Sequence, residues 1–280
     1  MSNTENASPT DFMEVAIQAA RSAGEFIASH KNKISQLKIS EKSLHDYVSE
    51  VDRQSEKIIS DFILTRFPEH ALLGEEHGQQ GKLKGEQKAN LRLHQWVVDP
   101  LDGTTNFLRS IPHYAVSIAL LIDGRPEVAV VYDPVKQDLF QAQKGRGALL
   151  NGETICVKRR AHMQGSLLAT GVPFSGRPMK NIASFTACMQ DILAIKTSGI
   201  RRLGAAALDL AYVACGRYDG YWESGLQSWD IAAGILLVTE AGGTVTDLRG
   251  NHTYFETGDV LAASPNVHGD MLSVTAKHYS

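Results

Sequence analysis

The sequence predicts a layered fold of α-helices and β-sheets, of the α/β or α+β class, in a single domain over residues 1–280. Two observations predict it. Segments with apolar residues at helical spacing alternate with β-rich blocks along the chain, and no linker divides these blocks convincingly. The composition supports a buried core, because 43% of the residues are hydrophobic and 21% are charged.

Helices are predicted where apolar residues recur every three or four positions. The first begins at the capping sequence Pro9-Thr10-Asp11 and carries apolar residues at helical spacing from Phe12 to Ile27. The later predicted helices, in chain order, are Ser49 to Phe67, Asn181 to Lys196, Ala205 to Cys215, Asp230 to Glu240 and a helix at the C-terminal end.

Strands are predicted where short apolar runs are bounded by turn residues. They cover Ala71 to Leu73, Ala115 to Ile122, Val128 to Tyr132, Leu139 to Ala142, Tyr221 to Glu223 and Val260 to Ala263. The stretch from His77 to Gln95 is polar and rich in Gly, Gln and Lys, so it is predicted to be a mobile loop.

The bulk properties favour a soluble cytoplasmic protein. The net charge of -3 and the pI near 6.4 make direct nucleic-acid binding an unlikely role and give no attraction to an anionic membrane. The three cysteines are an odd number and widely spaced, so no disulfide framework is expected. No apolar run reaches the roughly 18 residues of a membrane span, and the first residues lack a signal-peptide pattern.

The most informative motif runs from Trp96 to Asn106. A β-branched apolar run brings Asp99 to the end of a predicted strand, a proline follows, and Asp102 comes three residues after Asp99. Paired carboxylates suit Mg²⁺, which prefers oxygen ligands. The amides and hydroxyls of Gly103, Thr104 and Thr105 stand at a predicted helix start, where an anion is favoured. A cation beside an anion pocket suggests phosphate chemistry, although Asp and Pro also favour an ordinary turn.

Two further acidic positions end a strand or begin a helix in the same way. Glu75 follows the strand at Ala71, and Asp230 starts an apolar helix. Spacing alone does not bring them to Asp99 and Asp102. Glu75 with Glu76 is otherwise a solvated pair of acids, and Asp230 is otherwise an ordinary helix cap.

These segments resemble the signature blocks of the inositol monophosphatase family. The blocks are Gly74–Glu76, Trp96–Phe107 and Trp229–Gly234, with weaker similarity at His45–Asp52 and Arg201–Tyr212. The resemblance extends over nearly the whole chain. It implies an αβαβα sandwich of the sugar-phosphatase type, shared by inositol monophosphatases and fructose-1,6-bisphosphatases. It also implies hydrolysis of a small phosphate monoester, foremost inositol-1-phosphate, and a homodimer.

The resemblance assigns roles to particular residues. Glu75 and Asp99, with the carbonyl of Leu101, would bind a first Mg²⁺, and Asp99, Asp102 and Asp230 would bind a second. Glu75 would also hold a third, weaker ion through waters, and Li⁺ would inhibit. Thr104, paired with Asp52, would orient the attacking water beside Glu75. The amides of Gly103 and Thr104 would hold the phosphate.

The substrate side discriminates between alternatives that share this chemistry. The resemblance implies that Asp102, Glu223 and the Ala206 region contact the alcohol portion of the substrate, although Glu223 is otherwise an exposed acid at a strand end. The other substrates are fructose-1,6-bisphosphate, a nucleotide 3′-phosphate, NADP and histidinol phosphate. A different class of role is also open, because some bacterial members of the family are thought to bind protein partners in the transcription machinery.

Overall fold

Helices and strands alternate along the chain in a computed structural model that describes residues 9–37, 39–43, 46–81, 92–173 and 182–279. The helices are α1 (Pro9–His30), α2 (Glu50–Arg66), α3 (Thr104–Leu108), α4 (Ile182–Ala194), α5 (Ala206–Ala214), α6 (Ser228–Glu240), α7 (Tyr254–Thr257) and α8 (Pro265–His278). The strands are β1 (Ile39–Ser43), β2 (Asp46–Ser49), β3 (Ala71–Gly74), β4 (Gly78–Gly81), β5 (His94–Asp102), β6 (Ala115–Ile122), β7 (Arg125–Asp133), β8 (Asp138–Gln143), β9 (Ala148–Leu150), β10 (Glu153–Ile155), β11 (Leu167–Thr170), β12 (Gly199–Arg201), β13 (Gly220–Glu223), β14 (Thr244–Thr246) and β15 (Val260–Ala263).

Two mixed sheets form the body of the fold. The larger has the strand order β10-β9-β8-β7-β6-β5-β3-β4, in which only the β3–β5 pair is parallel. The smaller has the order β12-β11-β13-β15-β14, with β11 parallel to both of its neighbours. Apart from these sheets, β1 pairs antiparallel with β2.

Helices cover both faces of each sheet and produce five layers. Helices α1 and α2 pack on one face of the larger sheet, and α5 with α6 fill the space between the two sheets. Helices α4 and α8 pack on the outer face of the smaller sheet. The αβαβα sandwich predicted from the sequence is therefore confirmed.

The central strands are apolar on both faces because they lie between two helical layers. In β6, Val116, Ile118 and Leu120 face α1 and α2. The alternate residues Ala115 and Ala119 face α5 and α6, where small side chains let the helices approach closely. This alternation is the period of two that an extended strand imposes on its side chains.

The prediction of a loop from His77 to Gln95 is wrong at both ends of that segment, because each end contains strand residues. Gly78–Gly81 forms β4, which pairs antiparallel with β3, and β5 already begins at His94. Residues 82–91 lie outside the described residues, as do His45 and Asn181 at the edges of other predicted segments. Among the described residues, no helix is long and apolar enough to cross a membrane.

Candidate active site

A β-bulge in β5 turns Asp99 and Asp102 to the same face of the large sheet. Asp99 pairs with Ser117 and Asp102 with Ala115, so three steps along β5 match two steps along β6. In a regular strand, side chains three positions apart point to opposite faces, so the bulge is what lets this spacing keep both carboxylates on one face. Ala115 belongs to the core shared with α5 and α6, so both carboxylates point toward that helical layer.

Two helices begin at this face and meet the carboxylates. The amide of Ala207, in the first turn of α5, donates to Asp102 Oδ2 at 2.8 Å. Asp230 lies in the first turn of α6, where its Oδ2 accepts from the Gln227 amide at 2.7 Å. Asp230 therefore does cap its helix, as an acidic residue at this position often does.

Glu75 reaches the same place through the parallel pairing of β3 with β5. Gly74 is in register with Val98, and the Glu75 amide donates to the Val98 carbonyl at 3.2 Å. Glu75 therefore leaves β3 beside Asp99. Asp99 and Asp102 each lie within electrostatic range of Glu75 and Asp230, which sequence spacing alone could not bring to them.

Asp99 and Asp102 are buried, and other carboxylates lie close enough to repel their negative charges. Burial raises the pKa of Asp99 well above its ordinary value, and the carboxylates of Glu75, Asp102 and Asp230 raise it further. Burial likewise raises the pKa of Asp102, with Asp230 as the strongest neighbouring charge. Such a site favours protons or a cation, either of which reduces the repulsion.

The donor chemistry fits a hard divalent cation. Carboxylate oxygens and the Leu101 carbonyl are the ligand types that Mg²⁺ takes. Within residues 9–279, as far as they are described, no group of three or more acidic, histidine or cysteine side chains is already arranged to hold a metal ion. The case for Mg²⁺ at this site therefore rests on the charge and the type of the ligands. The side chains would take up their coordinating positions when the ion binds.

Thr104 and Asp52 form a pair beside these carboxylates. The Thr104 hydroxyl lies 2.7 Å from Asp52 Oδ1 and 3.1 Å from the Leu101 carbonyl oxygen. Its single proton goes to the carboxylate, because hydrogen bonds to ionised acceptors are the stronger ones. Burial raises the pKa of Asp52, while hydrogen bonds from Ser49 and Thr104 counteract the rise.

Gly103 holds the turn that carries Thr104 into this position. Its φ of 94° lies in the left-handed region, which favours glycine. A Cβ at this residue would also come within 3.1 Å of the His113 carbonyl oxygen. The following amides begin α3, and the first amides of a helix have no acceptor within the helix.

Glu223 stands at the end of β13, and its charge acts on both Asp102 and Asp209. The Tyr221 hydroxyl, two residues earlier on the same face of the strand, donates to Glu223 Oε2 at 2.6 Å. A Cβ added at Gly171 would clash with the Glu223 carboxylate, so this glycine leaves the space in which the carboxylate lies. Ala206 opens α5 nearby and is buried.

Sequence reasoning did not single out two buried acids near the site. Asp209 lies in the first turn of α5, and its Oδ1 has no hydrogen-bond partner; burial raises its pKa, with Glu223 and Asp102 as contributing charges. Glu56, in the middle of α2, binds the turn that follows Glu75. Asp209 breaks an apolar run, which is a local signal, whereas Glu56 looks like any helix surface acid.

Comparison with known proteins agrees with this architecture. A family model described as the inositol monophosphatase family matches residues 8–279. The chain belongs to the inositol monophosphatase family. This confirms the family that the signature blocks indicated.

Relatives within the inositol monophosphatase family carry two kinds of name. The chain is 45% identical over 267 residues to the Nus factor SuhB of Pseudomonas aeruginosa, covering 95% of this chain and 96% of that protein. It is similar to the crystal structure of the extragenic suppressor protein suhB from Bartonella henselae, with a TM-score of 0.88, 39% identity and coverage of 95% and 98%. It is also similar to the inositol monophosphatase of Anabaena (Nostoc) sp. PCC 7120, with a TM-score of 0.81, 36% identity and coverage of 96% of each chain.

Proposed function

We propose that this chain is a Mg²⁺-dependent phosphatase of small phosphate monoesters, with inositol-1-phosphate as its preferred substrate. The observation that carries the proposal is the bulge in β5, which turns two buried, mutually repelling carboxylates toward the first turns of α5 and α6. Family membership and the resemblance to the Anabaena inositol monophosphatase support the same chemistry.

The residues that would hold Mg²⁺ are those with oxygen ligands around the bulge. They are Glu75, Asp99, Leu101, Asp102 and Asp230 for two ions, with Glu75 also serving a third and weaker one. When bound, the ions would offset the charge of the phosphate and lower the pKa of a water molecule. Because the ions would relieve the repulsion between Asp99 and Asp102, this relief would favour the binding of the ions to the folded chain.

Thr104 would orient the attacking water through its own hydrogen bond. Because the Thr104 proton is directed to Asp52, the lone pairs of its oxygen face other donors. A water molecule beside Glu75 would donate a proton to the Thr104 hydroxyl oxygen. The lone pair of that water would then point away from Thr104. The chain would thus hold the water in one orientation, which is the main task of the protein in phosphoryl transfer.

Two parts of the chain would hold the two ends of the substrate. The amides of Gly103 and Thr104, at the start of α3, would donate to the phosphate oxygens. On the opposite side, Glu223, Ala206 and Asp102 would contact the alcohol. A carboxylate such as Glu223 accepts hydrogen bonds from sugar or inositol hydroxyls, which favours a polyol over a nucleotide.

The test is phosphate release from a panel of monophosphates by the full chain with Mg²⁺, with Ca²⁺ and with EDTA. We expect turnover with Mg²⁺, fastest on inositol-1-phosphate, and inhibition by Ca²⁺, which accepts looser geometry and would misplace the water. Submillimolar Li⁺ should also inhibit. Full activity in EDTA contradicts the proposal. Faster turnover of another substrate would keep the proposed Mg²⁺-dependent chemistry but correct the proposed substrate preference. The alternative substrates are fructose-1,6-bisphosphate, a nucleotide 3′-phosphate, NADP and histidinol phosphate.

A second role is favoured by the names of the relatives. Several are named Nus factor SuhB, including the one from Pseudomonas aeruginosa, so a protein partner in the transcription machinery is also proposed. A pull-down from lysate with wild type and the Asp99→Asn variant, each with and without Mg²⁺, separates the two roles. Equal recovery of transcription proteins by both forms assigns the partner role to a surface outside the metal site, and no recovery rejects it.

A further inference from the structure

The carboxylate of Glu56 is tied to the turn that carries Glu75. Its Oε2 accepts from the Glu76 amide at 2.7 Å, and its Oε1 accepts from the His77 amide at 2.9 Å. These are the two amides directly after Glu75 in the chain. The position of Glu75 relative to Asp99 therefore depends on an acid that lies on another element, α2.

Side chains complete the same set of contacts. His77 Nδ1 lies 2.9 Å from Glu56 Oε1, and the Gln80 amide group donates to the same oxygen at 3.2 Å. Glu56 is buried although it is an acid, and its carboxylate takes hydrogen bonds from Glu76, His77 and Gln80. Buried carboxylates are stable in proteins when hydrogen bonds of this kind surround them.

Gly74 makes room for this arrangement. A Cβ at residue 74 would clash with the carboxylate of Glu56, so a side chain at the last residue of β3 would displace that carboxylate. The carboxylate lies over the backbone of β3 at the point where the strand ends and Glu75 begins. Helix α2, the end of β3 and the start of β4 are joined there by a single side chain.

We propose that Glu56 is a positioning residue that fixes Glu75 for metal binding. The inference rests on the proposed function, because it assumes that Glu75 is a Mg²⁺ ligand. Glu56 touches neither substrate nor metal in this assignment. It acts through the turn at residues 75–77, in the way that outer residues orient metal ligands in other sites.

The test is Mg²⁺ binding by isothermal titration calorimetry and the rise in melting temperature that Mg²⁺ produces in the full chain. Glu56→Gln keeps the size of the side chain but replaces one accepting oxygen by an amide nitrogen, which cannot accept from an N–H group. We expect the Kd for Mg²⁺ to rise about 10- to 100-fold, the usual effect of losing such a residue. Phosphate release should recover toward the wild-type rate at saturating Mg²⁺.

A matched control and a second variant make the result specific. Asp61→Asn makes the same chemical change on α2, at an exposed carboxylate that pairs with Lys57, and should leave Mg²⁺ affinity unchanged. His77→Gln keeps the charge of Glu56 but removes the imidazole contact, so a smaller loss of affinity shows that geometry contributes besides charge. His77→Gln also serves if Glu56→Gln does not fold.

The outcomes separate this inference from the proposed function. If wild type binds Mg²⁺ and Glu56→Gln binds it equally well with a lower melting temperature, Glu56 only stabilises the fold and the inference is wrong. If Glu56→Gln does not fold and a folded His77→Gln binds Mg²⁺ with unchanged affinity, the inference is also wrong. If wild type itself binds no Mg²⁺, the proposed function fails, and the inference falls with it.

Discussion

The two sides of the candidate site each place a glutamate carboxylate over a glycine, but they hold it differently. On the proposed metal side, Glu56 lies over Gly74, fully buried, with a backbone amide donating to each of its oxygens and side-chain contacts from His77 and Gln80 at Oε1. On the proposed alcohol side, Glu223 lies over Gly171, only partly buried, and accepts from the Tyr221 hydroxyl at Oε2. A fully buried carboxylate can only support the chain around it, whereas a partly exposed one can meet a ligand.

This difference predicts how substitutions on the two sides will behave. Changes on the metal side should affect every substrate equally, because all phosphate monoesters share the phosphate. Changes on the alcohol side should affect only substrates whose alcohol carries hydroxyl groups.

Asp99→Asn should have the largest effect. An amide lacks the charge to bridge two ions, so we expect turnover to be abolished on inositol-1-phosphate and on an aryl phosphate alike. Phosphate release on both substrates is the measurement, and Asp61→Asn is the exposed control. Activity of Asp99→Asn within a few-fold of wild type would reject the two-metal assignment.

The same variant should be more stable than wild type without metal, and the difference should depend on pH. Burial and repulsion raise the pKa of Asp99 in the folded chain, so the folded chain binds this proton more tightly than the unfolded chain does. Wild type therefore gains stability from this residue as the pH falls through its raised pKa. The advantage of Asp99→Asn in melting temperature, measured in EDTA, should be largest at neutral pH and shrink in acid. An advantage independent of pH would mean that the folded and unfolded chains bind this proton equally, which contradicts the raised pKa of Asp99.

Glu223→Ala should have a smaller and selective effect. A lost hydrogen bond to a charged group costs about 1.5–3 kcal/mol, so kcat/KM for inositol-1-phosphate should fall roughly ten- to hundred-fold. The value for an aryl phosphate should hardly change. Glu153→Ala, at an exposed strand acid, is the control. Equal losses on both substrates would show that Glu223 supports the metals or the fold, and no loss on either would leave it a surface residue.

Gly171→Ala should have the smallest effect of the three. The added methyl would displace the Glu223 carboxylate, which is the mobile end of a flexible side chain, so the fold should survive. We expect selectivity for inositol-1-phosphate over an aryl phosphate to fall on the order of a few-fold, equivalent to about 1 kcal/mol. Gly269→Ala, where a Cβ has open space, should leave it unchanged. Unaltered selectivity in Gly171→Ala would mean that Glu223 adapts without cost.

The long elements were predictable because their periodicity is a local property. The strands at Ala115–Ile122 and Val260–Ala263 were predicted at the residues where they are found, and the helix predicted from Ser49 to Phe67 differs from α2 by one residue at each end. Strand β4 was missed because Gly78–Gly81 is polar and forms only through its pairing with β3.

The candidate site was predictable to the extent that it follows chain order. Asp99, Asp102 and Thr104 sit in one motif, and the resemblance added Glu75, Asp230 and Glu223 from others. Glu56 could not be found, because it contacts Glu76 and His77 across 20 and 21 residues and nothing in its neighbourhood marks it. The strand pairing that turns two carboxylates to one face is likewise invisible without β6.

The extra residue in β5 changes which positions of the strand face α5 and α6. Up to Asp99, odd-numbered side chains such as Val97 face α5 and α6, while beyond the bulge the even-numbered Asp102 does so. Replacement of Pro100 or Leu101 would leave that change of parity intact. Deletion of either would place Asp102 two positions after Asp99, where a regular ladder still turns both side chains to one face. The deletion would instead remove the turn between them, in which the Leu101 amide donates to Asp99 Oδ1 at 2.9 Å.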